Sequence, residues 1–383
     1  MAKEKTRNVY RRLIVWMILF LLLAALAAAG YVYTKKQLAD SEAQNVQEVE
    51  RINAERVAQY NAAVAELSSQ KVEVVNDQWP TPAAEGWDVI DLSTFPVGSG
   101  SQRSVTRKDL LTGGLLVINR WNAMPADLTD DMMISVSNHS RADKDKENNI
   151  PTTNASVMMQ TVAVEALMDL YKDARVEGLD MDNIIVEEGY RSMEVQSKLW
   201  SDEYNKLSSR YSGDRLTEEV RKSTAYPGTS DFHTGLSFKV YNWKKGDNAF
   251  SSTPLHETEQ GKWIYQNAWK YGFVFRFPVQ GFPYADTEDK SFKTGINLSM
   301  KVYRYVGKGN AAAMKALDMC LEEYVEYLMQ HPHIAVYENG TLRYEIYRQD
   351  GGYADTTVTV PFNAKGFTAS TDNVGGLVTV IEY

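Results

Sequence analysis

Cysteine is nearly absent from the 383 residues: Cys320 stands alone, which excludes an intramolecular disulfide and any multi-thiolate metal site. Histidine is missing from residues 257 to 330 altogether. Positive charge is scarce outside the N-terminus. The formal net charge is −9; the first 12 residues carry four net positive charges and Lys35 and Lys36 two more, so the remainder holds −15. A body that acidic lacks the clustered Lys and Arg that phosphate neutralisation needs, so no nucleic-acid partner is expected. Charge is absent from Leu13 to Tyr33, and Gly and Pro are absent from residues 37 to 70.

The uncharged run, residues 13–33, would span roughly 30 Å as a helix, about the thickness of a bilayer core. Arg7, Arg11 and Arg12 precede it, and Trp16, Tyr31 and Tyr33 lie near its ends. The expectation is a single-pass transmembrane helix with residues 1–12 cytoplasmic and the body outside the cell. A signal peptide cleaved after Ala27, Ala28 and Ala29 is the rival; the apolar run continues past that site, which favours the anchor. Residues 37–70 place Leu38, Val46, Val49, Ile52, Val57, Tyr60, Val64 and Leu67 at three- and four-residue steps, as in a helical stalk. The heptad starting at Val46 and Val49 next meets Asn53 and Arg56. The stalk therefore reads first as a spacer of roughly 50 Å, with pairing of two copies into a coiled-coil homodimer as the alternative.

Pro80, Pro82, Gly86, Pro96, Gly98 and Gly100 mark residues 71–109 as a linker. The body then alternates strand-like and helix-like segments. Strands are expected at Leu115 to Ile118, Ile184 to Val186, 235–242 and 273–277, and helices at Ser156 to Ala174, 192–209, 258–272 and 309–330. The fold class is α+β. After His333, two β-runs flank the Asn339-Gly340 pair, a strong hairpin signal. With Thr356 to Val360 and Leu377 to Glu382 these form a β unit over residues 334–383, too small to be very stable alone.

Four segments in order carry a family resemblance: LVINRWN from Leu116, GYRS from Gly189 with Gln196, YPGTSDFHTGLSFK from Tyr226, and YGFVFRFP from Tyr271 followed by RYVG from Arg304. Together, residues 110–330 resemble the VanY-type D-alanyl-D-alanine carboxypeptidases, zinc peptidases that trim the stem peptide of bacterial peptidoglycan. The resemblance implies an antiparallel sheet with packed helices, at work on the cell wall. In the family, a motif S-E-H-x-x-G-x-A-x-D supplies a His and an Asp to zinc, and E-x-x-H-x-R-Y-V-G supplies the general base and the second His.

This chain departs from that pattern. In the same register Phe232 falls on the first His, Lys239 on the Asp, Val302 on the second His and Ser299 on the catalytic Glu. The resemblance thus implies a degenerate zinc site without metal or catalytic residues, since a zinc peptidase needs three protein ligands and an open fourth position. A buried Lys239 ammonium would need a carboxylate, and Asp231 is the sequence candidate. Arg191 matches a family arginine that stabilises charge developing on the attacked carbonyl, and Gln196 and Ser230 match residues that help hold the peptide end. With Lys239 they are the expected substrate-binding residues, because a guanidinium grips a carboxylate without metal.

The leading expectation is a membrane-anchored pseudopeptidase whose partner is a peptidoglycan stem peptide or a cell-wall enzyme. An active carboxypeptidase using Asp231, His233 and His256, or a structural scaffold of a membrane assembly, are the alternatives. A Ser230–His233 dyad lacks an oriented third group. The His331/His333 pair reads as an interdomain turn, and the sequons at Asn138, Asn154, Asn297 and Asn339 matter only in a eukaryotic secretory route.

Overall fold

The computed structural model describes residues 2–70, 79–80, 85–97, 100–143, 145–297 and 301–383. These fall into two compact units, residues 1–52 and 53–383. One α-helix, Ala2–Gln70, begins in the first. Its sequence is rich in Ala, Leu, Glu, Gln and Arg, all good helix formers, with Gly30 its one weak position. Within the first unit Val15–Gln37 is long and apolar enough to cross a membrane. Its large side chains are exposed, Trp16 at 70% and Phe20 at 71%.

The second unit is α+β and is built on two antiparallel sheets. The first has the strand order Ile184–Glu188, Ser237–Asn242, Val302–Tyr305, Phe273–Phe275. Its pairings put Val186 beside Val240 and Phe238 beside Tyr303 on one face. That face is buried by the helix Thr161–Val176, whose Val164, Leu167, Leu170 and Tyr171 join Val186, Phe238, Val240 and Tyr303 in the largest core. The opposite face presents Glu188, Lys239 and Val302 in one row, and Ser237 beside Arg304 in the next.

The second sheet has the order Trp87–Asp91, His333–Glu338, Thr341–Asp350, Gly376–Glu382, Gly366–Thr371. The Asn339-Gly340 hairpin forms as its chemistry demands, with φ of 50° and 74° at the two turn residues. Ile334, Val336, Ile346, Val378 and Val380 share one core with the helices Lys308–Leu317 and Leu321–Gln330, so the C-terminal strands pack on the body. The packing is close: a Cβ on Gly309 would lie 2.5 Å from a Val380 methyl.

Three expectations change. Residues 71–109 are more than a linker, because Trp87–Asp91 is an edge strand of the second sheet and Gly100–Val105 pairs with Thr356–Pro361. Of the Gly and Pro residues that suggested connecting chain, Gly86 and Gly100 stand at strand ends and Pro96 between the strands, where edge pairing tolerates them; Pro82 and Gly98 lie outside the described residues. The helix expected over 309–330 is two, since Asp318 adopts a left-handed conformation (φ 52°) and ends the first. Residues 115–118 are buried but join no strand. Val117 N–H donates to the Asp372 carbonyl, while the carbonyls of Gly114 and Leu116 accept from the Arg304 guanidinium.

Candidate functional site

The segment Ser230–Gly235 forms a tight 3-10 turn, Asp231–Thr234, closed by Gly235 at φ 65°. A Cβ on Gly235 would also meet the Met133 sulfur at 2.2 Å, so glycine is required there twice over. The turn is wholly buried, which fixes each of its side chains against a different neighbour.

Asp231 points into a buried ionic network. Its Oδ1 accepts from Arg304 Nη1 at 2.6 Å and lies 3.1 Å from Arg276 Nε, without hydrogen-bond alignment; Oδ2 accepts from the Ser237 hydroxyl. Arg276 in turn donates to both oxygens of Glu322, at 2.7 and 2.9 Å, and Asn119 donates to Glu322 as well. Burial pushes the Asp231 carboxyl up, but the two guanidiniums outweigh it and hold the group below the usual carboxylate range. The network is charge-neutral and ties the turn to both sheets' supporting elements. Arg304 spends its remaining donors on carbonyls at Gly114, Leu116 and Tyr305, which makes it a structural clamp.

His233 is structural in the same sense. Its Nδ1 lies 2.7 Å from the Arg191 carbonyl and therefore donates, while Nε2 accepts from Gly228 N–H at 3.0 Å. That is the neutral tautomer, and burial holds its pKa below the ordinary value. Neither nitrogen is left for a serine or a metal. His256 packs edge-on against Phe282, 5.0 Å between ring centroids. The alternative ligand set Asp231, His233 and His256 therefore does not converge.

Phe232 and Val302, seventy residues apart in sequence, come together with Phe277 in one buried apolar cluster. Lys239 lies directly across the ladder from Val302. Its ammonium pairs with Glu187 at 3.1 Å, correcting the expected partner Asp231, which the arginines already occupy. Arg191 stacks over the Phe232 ring at 4.0 Å. Its Nε and Nη2 donate to the two oxygens of Glu188, both at 2.6 Å, and Nη1 donates to Gln196 at 3.1 Å. Gln196 is fully buried and anchored to the Ala225 carbonyl. The result is two ion pairs, Arg191–Glu188 and Lys239–Glu187, beside the apolar cluster of Phe232, Val302 and Phe277. Ser230 is buried beside it, and Ser299 lies outside the described residues.

This set does not fit zinc. Phe232 and Val302 offer no donor atom, and Lys239 is a cation already paired. Among the described residues no group of three or more His, Cys, Asp and Glu could hold a metal.

Sequence reasoning missed Glu187 and Glu188, which stand immediately before the GYRS segment. A bulge between Val186 and Glu188 in the pairing with Ser237–Asn242 places them at the site. It also missed Arg276 and Glu322; Arg276 lies inside the YGFVFRFP segment, where a charge in an apolar run was the available signal.

Residues 156–290 match the VanY family model, described as D-alanyl-D-alanine carboxypeptidase. The chain is 28% identical over 317 residues to a D-alanyl-D-alanine carboxypeptidase of Enterococcus faecium, covering 82% of this chain and 88% of that one. It is 30% identical over 167 residues to the putative carboxypeptidase YodJ of Bacillus subtilis, covering 43% and 52%. The fold is similar to that of the vancomycin resistance D,D-dipeptidase VanXYg, with a TM-score of 0.55, 21% identity, and coverage of 75% of this chain and 100% of that one. Residues 156–290 therefore carry a VanY-type D-alanyl-D-alanine carboxypeptidase domain, and the chain is similar to that family over most of its length.

Proposed function

We propose that this chain is a zinc-less VanY-type pseudopeptidase that binds peptidoglycan stem peptides without cleaving them. The observation that carries this reading is the packing against Phe277 of Phe232 and Val302, the two positions where the family's motif register puts imidazoles, with a paired Lys239 in place of the acidic ligand. Without a metal-bound water, nothing in this cluster activates a nucleophile, since the nearby His233 has both nitrogens committed. The means of gripping a peptide carboxylate remain: Arg191, aligned by Gln196 and stacked on Phe232, and the Lys239 ammonium. Both are partly accessible, with side chains 17% and 35% exposed. The apolar helix Val15–Gln37 is compatible with a membrane anchor holding the domain beside the cell wall.

The test is zinc stoichiometry of the purified full chain in detergent after incubation with excess zinc and desalting, together with D-alanine release from a pentapeptide stem. The expected result is no retained zinc and no D-alanine, with the stem peptide still bound. About one zinc per chain with chelator-sensitive release would make it an active carboxypeptidase instead.

A further inference from the structure

We propose that the cavity at the free edge of the first sheet is a second binding site, for a primary ammonium on an alkyl stem. The proposal does not rest on the peptide-binding reading above.

The strand Phe273–Phe275 is the last of its sheet, so one of its edges has no partner strand. Beside it lies a cavity of about 480 Å³, walled by that strand, by residues 278–290 and by the end of the helix Lys308–Leu317. The volume falls within the ~300–1,000 Å³ of small-molecule sites. One wall is aromatic: Tyr303 packs on Phe275 with 5.6 Å between ring centroids, and Tyr265 packs on Phe275 at 6.2 Å and on Tyr284 at 4.5 Å. Tyr303 also stacks on Phe238, on the face covered by the helix Thr161–Val176, whereas its neighbour Val302 lies on the other face with Phe232. The cavity is therefore distinct from the degenerate zinc site.

Its polar groups define the ligand. Tyr303 is 4% exposed, and its hydroxyl has no hydrogen-bond partner among the described residues. The Tyr284 hydroxyl is buried and equally without a partner. Unpaired buried hydroxyls cost free energy that a ligand donor recovers. Asp286 and Asp318 are exposed members of the lining with no salt bridge among the described residues, while Lys290 is held by Glu288 and Glu323. Burial raises the Tyr265 pKa most, and Tyr284, Asp318 and Asp286 raise it further, so the carboxylates face the tyrosines. Counting Glu288 and Lys315, the lining holds three carboxylates and two ammoniums, a net negative charge.

An alkylammonium matches this set. Its three N–H donors find acceptors in two hydroxyls and a carboxylate, and its charge is attracted to tyrosine faces. Its methylenes cover Val274, Phe275 and Met314. An anion would face the aspartates, and a quaternary ammonium would leave both hydroxyls unpaired. The matching group occurs on free diamines and on lysine side chains.

The experiment is a calorimetric titration of the full chain in detergent with cadaverine, with Nα-acetyl-lysine methylamide, and with 1,5-pentanediol as the uncharged isostere of cadaverine. The wild-type chain is expected to bind an amine about tenfold or more tightly than the diol, the worth of a charge-assisted hydrogen bond. Binding of cadaverine alone supports a free amine as the ligand, and binding of the lysine amide supports a polypeptide side chain. Tyr303→Phe is expected to weaken the amine about twofold to tenfold. Asp286→Asn with Asp318→Asn should weaken it by up to about fivefold and leave the diol unchanged. None of these groups has a partner to lose, and asparagine tolerates the left-handed backbone at position 318, so melting midpoints should stay at the wild-type value. Binding of neither amine, equal binding of amines and diol, or an amine affinity unmoved in both variants would overturn the proposal. Each of these results leaves the stem-peptide reading standing, because its residues lie on the other face of the sheet.

Discussion

Asp231→Ala is the substitution that most directly tests how the site is held. The carboxylate is 4% exposed and faces two fully buried guanidiniums and the Ser237 hydroxyl. Removing it leaves Arg276 with Glu322 and Arg304 with backbone carbonyls alone, so the buried network goes from neutral to one net positive charge. Breaking a buried ion pair by deleting one partner costs about 3–5 kcal/mol, chiefly through the stranded charge. For a body of this size, at roughly 2 °C per kcal/mol, the melting midpoint should fall by ~6–10 °C. Circular dichroism melts of the full chain in detergent would read this. The folded-state pKa of Asp231 is depressed, so its contribution is present above the unfolded value and lost as pH falls through the folded one. The gap between wild type and variant should therefore hold constant at neutral pH and narrow only below about pH 4. A loss under about 2 °C at pH 7 would refute the reasoning, because it would mean the arginines find solvent or other partners at little cost.

Phe232→Ala should cost about 3–5 kcal/mol in urea unfolding, since it opens a cavity against Val302 and Phe277 and removes the surface on which Arg191 stacks. A cost below 1 kcal/mol, on the order of a surface truncation, would mean the apolar cluster is loosely packed. Gly309→Ala should destabilise the chain by about 1–2 kcal/mol despite alanine's better helix propensity. The added Cβ meets Val380 at 2.5 Å and the Tyr344 ring at 3.1 Å; unchanged urea midpoints would show that the helix can lift off the sheet freely. His233 has its folded pKa lowered by burial, so it contributes stability above about pH 6.5 that is lost as pH falls toward the folded value. His233→Gln should therefore be less stable than wild type at pH 7.5 and show a shallower decline as the pH falls below about 6.5. Parallel pH profiles would contradict the neutral, two-bond role of the imidazole.

The features legible in the sequence are the local ones. Leu13 to Tyr33 has the length and polarity of a membrane helix whatever the rest of the chain does. The Asn339-Gly340 turn follows from residues that accept positive φ, and the strands and helices of the α+β body follow from periodicity. The motif register identified the family and placed Phe232 and Val302 where donors were expected. Their meeting in one cluster required the ladder between Ser237–Asn242 and Val302–Tyr305.

Partners were decided by the tertiary structure. Asp231 was the sequence candidate for pairing with Lys239, yet Arg276 and Arg304 claim it and Glu187 takes the lysine. Trp87–Asp91 looked like connecting chain because its partner strand, His333–Glu338, lies some 240 residues away. Backbone propensity and turn chemistry act over a few residues and can be read along the chain. The choice among several possible ion-pair partners depends on which groups burial brings within about 3 Å, and that is a property of the packed fold alone.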